Sequence, residues 1–381
     1  MGEYIMGKRI KNYLFAISIV FIVIAVYLIR ESAAEFSYAA VKDLEPINKN
    51  VNGINMMIDP RIEVLAALQS VSGYNEKYHL LTDRDFSYKN DMIKYFSKFS
   101  KHEAVKLFDT MSSINFAYDA PPYTMLYLSN PLSLKAKQDF DEQLKSRIGE
   151  GSLNKFSEQI KNFAVKTKFN EYFNKHQEFY KSVLDKNSKL MGDEDYIGYL
   201  EQYYGMKQKS YNIILAPMFA GGGYGPRIKS ENGNYDVYSI QGTNSVENDI
   251  PVMGEKESFR YVALHEFSHS FVNPLTEQYE SEVQSSSKLF DPISDKMKKQ
   301  AYTNWETCVN EHIVRAVVAR LAYIHAGKQE YDRAIYLEKA NGFLYIETLT
   351  NKLEEYENNR EKYKSFKDFY PELLDVFKSL N

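Results

Sequence analysis

Apolar side chains recur at helical spacing through most of residues 60–204. Ile62, Leu65, Ala66 and Leu68 form one group; Met92, Ile93, Tyr95, Phe96 and Phe99 a second; Phe156, Ile160, Phe163, Phe169, Phe173 and Phe179 a third. Strand character begins at Ser210. Residues 211–218 are β-rich, and 235–240 alternate polar with apolar side chains, with the glycine-rich stretch 221–226 between them as a loop. Phe259, Val262, Ala263, Phe267 and Phe271 return to helical spacing, and Asn273-Pro274 is expected to stop that helix, because proline lacks a donor and disfavours helical geometry before it. Beyond Gly327 helical segments are expected at 331–337, 343–356 and 366–380. The pattern predicts an α+β protein, mainly helical, with a small β-sheet and no fixed-period repeat. It divides the chain into an N-terminal membrane anchor or signal segment (1–34), a polar linker containing Pro46 and Gly53 (35–57), a helical subdomain (58–205) and a catalytic subdomain with C-terminal helices (206–381).

The chemistry concentrates in His265-Glu266-Phe267-Ser268-His269, an HExxH motif on the 259–271 helix. Histidines four apart share one face of a helix, so both imidazoles can reach one metal ion, while Glu266 projects beside them as a general base. With seven histidines in 381 residues, a chance HExxH is expected in roughly one such chain in a hundred, which puts the match above noise. A catalytic zinc site usually takes three protein ligands plus an open position. No third histidine follows His269 at metzincin spacing, so the remaining ligand must come from a later element, and Glu311 is the expectation. On a helical wheel Cys308, Glu311, Arg315, Ala319 and Ala322 make one stripe, and Arg315 stands one turn on, where it can hold the carboxylate. Glu306, His312, Glu280 and Glu282 compete for the same position. His312, Tyr224, Tyr279 and Tyr302 are candidates to hydrogen-bond a reaction intermediate.

Asn310-Glu311 resembles the Asn-Glu of thermolysin-like gluzincins, in which that glutamate is the third zinc ligand. More of the chain, from about residue 58 onward, is similar to an uncharacterised family of secreted or membrane-attached bacterial proteins with a gluzincin-like HExxH domain of unknown function. The stretches that carry the likeness begin at Asp59-Pro60-Arg61, Asp119-Ala120-Pro121-Pro122, His265 and Asn310. The resemblance implies a zinc-dependent metallopeptidase with a zincin-like core, in which a second helix bears the glutamate, and names no substrate. The insert between His269 and Glu311 is longer than in thermolysin.

Residues 13–29 carry no charge and come after Lys8, Arg9 and Lys11, so this run is expected to enter a membrane with its basic flank inside and to export the chain beyond Arg30. The domain is then extracytoplasmic, anchored by one helix, or secreted if cleaved near Ala34. Cys308 is the one cysteine, which excludes an intramolecular disulfide. A net charge of −4 without basic runs argues against nucleic acid as a partner, and the glycine stretch lacks the Gly-Lys-Ser/Thr ending of a nucleotide loop. The expected partner is a peptide or protein substrate lying against a sheet edge. The 211–218 and 235–240 strands are the candidate edges, and the glycine stretch is either a mobile flap or an ordinary connection. The alternative class is a membrane-tethered peptide-binding or sensory protein with a closed structural metal site, its fourth ligand supplied by His312 or Cys308.

Overall fold

The computed structural model describes residues 43–131, 133–230 and 233–380. The 13–29 run lies outside them, and among the described residues no helix is long and apolar enough to cross a membrane.

The protein is α+β and mainly helical, with a small mixed sheet. Its strands are β1 (Ile47–Val51), β2 (Ile54–Ile58), β3 (Ser210–Ala220), β4 (Gly223–Tyr224), β5 (Arg227–Lys229) and β6 (Tyr235–Thr243). The order is β1-β2-β3-β6-β4, with β5 also on β6. β2, β3 and β6 run parallel; β1, β4 and β5 are antiparallel to their neighbours. A separate ribbon, β7 (Ser245–Glu247) with β8 (Ile250–Val252), leads into the motif helix.

The segment read as a linker contributes β1 and β2. Its Asn52-Gly53 pair closes a two-residue hairpin, both residues having positive φ (51° and 84°), which Asn and Gly tolerate best. The alternation in Ile54, Met56 and Ile58, all fully buried, is the signal masked by the polar face of β1. Residues 45–381 form one compact unit, and the sheet draws its strands from both sides of residue 205.

β3 is apolar along nearly its whole length because both of its faces are covered. Tyr211 turns towards the motif helix, meeting Phe267 ring edge to face at 5.3 Å. On the other face lies the helix Pro60–Gln69, buried all round and capped by Asp59, whose carboxylate accepts from the Arg61 amide at 2.8 Å. Arg61 also donates to the Leu126 and Leu128 carbonyls at 3.0 Å, joining this helix to Ala120–Tyr127.

The motif helix spans Lys256–Gln278 and does not stop at Asn273-Pro274. Pro274 cannot donate to the Ser270 carbonyl four residues back. The Gln208 side-chain amide donates to that carbonyl instead, at 3.2 Å, and the helix runs on for one more turn. The second long helix, Trp305–Ala326, is capped by Asn304 and buried through most of its length between the motif helix and the helices Lys328–Ala340 and Ile346–Asn358. Asn310 ties the two long helices together by accepting from Thr276, whose hydroxyl also meets Tyr370 at 2.5 Å.

Candidate metal centre

A spacing of four residues, close to one helical turn, brings His265 and His269 onto one face of Lys256–Gln278, with Nε2 atoms 3.2 Å apart. Glu311 arrives from the second helix, its oxygens 3.5 Å from His265 Nε2 and 3.3 Å from His269 Nε2. These edges can be tested against metal geometry. An ion held tetrahedrally at 2.0–2.1 Å from nitrogen and oxygen donors spaces them about 3.3 Å apart, which is the size of these separations, the Glu311 carboxylate facing His265 with Oε2 and His269 with Oε1. The residues present therefore fit a divalent metal ion.

The donor atoms of His265, Glu266 and His269 also lie within 4.8 Å of one another, so distance alone offers Glu266 as an alternative oxygen. The surroundings separate the two glutamates. Glu311 is gripped by Arg315, whose Nε donates to it at 3.0 Å, and faces both imidazoles. Burial pushes its carboxyl up, but Arg315 and the two histidines outweigh burial and hold it well below the usual carboxylate range. Glu266 stands about 100° round the helix from His265. Burial, offset in part by His269 and reinforced by Glu311, pushes its carboxyl up to about 7. The two carboxyls are thus pushed in opposite directions, Glu311 towards its anion and Glu266 towards its protonated form. Burial holds His265 well below the ordinary imidazole range; burial also opposes protonation of His269, but there Glu311 wins and its pKa rises.

The donors have unequal outer support. His269 Nδ1 meets Asn273 Oδ1 at 3.1 Å. Arg315 holds Glu311 while its Nη1 donates to Glu338 at 2.8 Å and to Tyr261 at 3.1 Å, and its guanidinium lies 4.2 Å from the Phe343 ring centre. His265 Nδ1 is buried without a partner, and the ring is bounded by Tyr261, stacked 5.7 Å away at 21°. Arg315 Nη2 donates to the Tyr302 hydroxyl at 3.2 Å. Nε–H and Nη2–H point the same way and commonly grip both oxygens of one carboxylate; here they hold one carboxylate oxygen and one phenol oxygen. Glu311 keeps its other oxygen for His269, and the Tyr302 hydroxyl is set beside the triangle.

Other expected site residues stand elsewhere. His312 is fully buried, with Nδ1 on the Cys308 carbonyl at 2.7 Å and its ring against Phe343 and Tyr345. It faces away because one residue step from Glu311 turns it towards the C-terminal helices. Cys308 is likewise buried, and burial, with Glu311 adding, pushes its thiol up to about 12. Neither fourth donor considered for a closed site joins the triangle. Tyr224 also points away from Glu266: its ring lies 6.2 Å from Phe219, beside Tyr74 and Tyr118.

The glycine stretch holds what the sequence did not disclose. Both β3 and β6 are interior strands, so neither can offer a free edge; the edge above the motif helix is β4, part of the segment read as loop. A Cβ on Gly223 would lie 2.7 Å from Glu266 Oε1, and one on Gly225 would lie 2.8 Å from Oε2 and 2.4 Å from the Glu266 carbonyl. Two glycines thus form a slot over this carboxylate, with Tyr224 alternating to the far face. A glycine run flanking a strand was visible; that its backbone lies on Glu266 depends on tertiary packing.

The chain belongs to the family described as a domain of unknown function, DUF4932, whose model matches residues 54–376. No curated protein and no solved structure matches the chain.

Proposed function

We propose that this protein is a zinc-dependent peptidase, exported and held at a membrane by residues 13–29, that hydrolyses peptide bonds at the His265, His269 and Glu311 triangle. The observation that carries the reading is three donor residues with nitrogen and oxygen atoms 3.2 to 3.5 Å apart beside Glu266, a carboxyl that is not among the hydrogen-bond partners of Arg315. His265, His269 and Glu311 would hold the zinc, which would supply a lowered water pKa and a polarised carbonyl there. Glu266 is placed to accept the proton of the attacking water and pass it to the leaving amine. Arg315 and Asn273 fix Glu311 and His269 during those transfers, and the Tyr302 hydroxyl offers a donor where charge develops on the carbonyl oxygen. Gly222 and Pro226 direct their carbonyls to β6, accepting from Gly242 at 3.1 Å and Tyr238 at 3.0 Å, so Gly223 and Gly225 turn their backbone groups outward. An extended peptide can add there as a further strand, which supports a peptide substrate over a compact small molecule.

The test is the full chain, loaded with zinc, incubated with a mixed-sequence peptide library and read by mass spectrometry. Cleavage is expected, lost on treatment with a chelator and restored by zinc. A zinc-loaded chain that leaves every peptide intact sinks the peptidase reading.

A further inference from the structure

We infer that Glu338, on the helix Lys328–Ala340, is a positioning residue for the metal centre, acting on two of its three donors through Arg315 and Tyr261. The inference rests on the metal reading of the triangle, not on the peptidase chemistry. Glu338 is 4 % exposed, on a helix whose other charged side chains are exposed or only partly covered. One carboxylate oxygen accepts from Arg315 Nη1 at 2.8 Å, the other from the Tyr261 hydroxyl at 2.5 Å. Arg315 grips Glu311, and the Tyr261 ring bounds His265, the donor whose Nδ1 has no hydrogen bond of its own. A single carboxylate from a third helix therefore fastens the holders of both Glu311 and His265.

Without Glu338, Arg315 faces Glu311 as its sole buried anionic partner and competes with the metal for that carboxylate, since the strength of an ion pair in a buried site grows as other partners are removed. An ordinary staple between two consecutive helices would have no reason to involve Tyr261, which belongs to the motif helix.

The experiment compares the full chain with Glu338→Gln, Tyr261→Phe and, as a control, Glu311→Gln. Zinc affinity is read by chelator competition, the visible spectrum by cobalt substitution, and metal-free stability by thermal melting. Glu338→Gln is expected to weaken zinc binding about 10- to 100-fold and to shift the cobalt bands, and Tyr261→Phe to weaken it several-fold, while the metal-free melt changes little. A purely structural role predicts the reverse: a lowered metal-free melt with unchanged affinity and bands. If Glu338→Gln fails to fold, Tyr261→Phe carries the test. Affinities within twofold of wild type for the folded variants, with Glu311→Gln strongly impaired, overturn the inference. A wild-type chain that takes up no zinc overturns the metal reading and this inference with it, whereas absent peptide cleavage touches neither.

Discussion

Two buried glutamates in this molecule are shifted in the same direction and have different surroundings. Glu63, in the all-buried helix Pro60–Gln69, and Glu266, in the motif helix, are both pushed up to about 7, burial being the largest cause in each. Glu63 accepts from the Tyr88 hydroxyl, which meets the Tyr180 hydroxyl at 2.7 Å, and those two phenols are themselves buried. Glu266 has two imidazoles and a second carboxylate for neighbours, and its cover is glycine backbone at a strand edge. A raised carboxyl therefore marks a candidate site only together with groups that could hold a reactant and a border through which one can arrive. Glu63 has the first property and lacks the others.

Neutralising each carboxyl in turn puts this contrast under the greatest strain. Glu266→Gln is expected to lower peptide hydrolysis about 10³-fold with zinc still bound, and Glu63→Gln to leave it within about twofold, measured as kcat/KM on one cleaved peptide. Equal losses would erase the distinction. The next effect is in stability. The folded pKa of Glu63 lies above its ordinary value of 4.5, so its favourable contribution is complete below about pH 4.5 and is lost as pH rises through about 7. A shift of that size corresponds to roughly 3 kcal/mol. Urea unfolding of wild type and Glu63→Gln at pH 5 and pH 8 should show the variant gaining on the wild type at the higher pH by about that amount. The same stability difference at both values of pH would mean that Glu63 is not held protonated.

What the sequence disclosed of these two regions was uneven, for physical reasons. His265, Glu266 and His269 follow from helix periodicity alone, and Glu311 with Arg315 from one turn of spacing on a second helix; both are local relations that survive folding unchanged. The helices of 60–204 and those after Gly327 were legible for the same reason. The extension past Pro274 was not, because Gln208, distant in sequence, satisfies the freed carbonyl. Nor were Glu338, the Tyr302 contact or the edge position of β4, each of which exists only where separate elements meet. Asn52-Gly53 is the exception: the hairpin signal is local and stands in the residues, inside the stretch whose polarity reads as a linker.

The smallest expected effect isolates what the strand edge gives Glu266 that Glu63 lacks. Gly223→Ala would place a methyl 2.7 Å from Glu266 Oε1 and from Val262 Cγ1, so the end of a side chain must swing aside while the strand can stay. Gly225→Ala would place one 2.4 Å from the Glu266 carbonyl oxygen, and helix backbone cannot step away, so β4 itself must move. A displacement of a reacting group by a fraction of an ångström to an ångström costs about 10- to 100-fold in rate. Gly223→Ala is therefore expected near the lower end of that range in kcat, with KM and zinc content unchanged. Gly225→Ala should also raise KM, because the edge proposed to receive the peptide is displaced. Steady-state kinetics with metal analysis of both variants separates the two outcomes. If each keeps the wild-type kcat and KM, the glycines are bystanders, and the contrast between the two glutamates reduces to their imidazole neighbours alone.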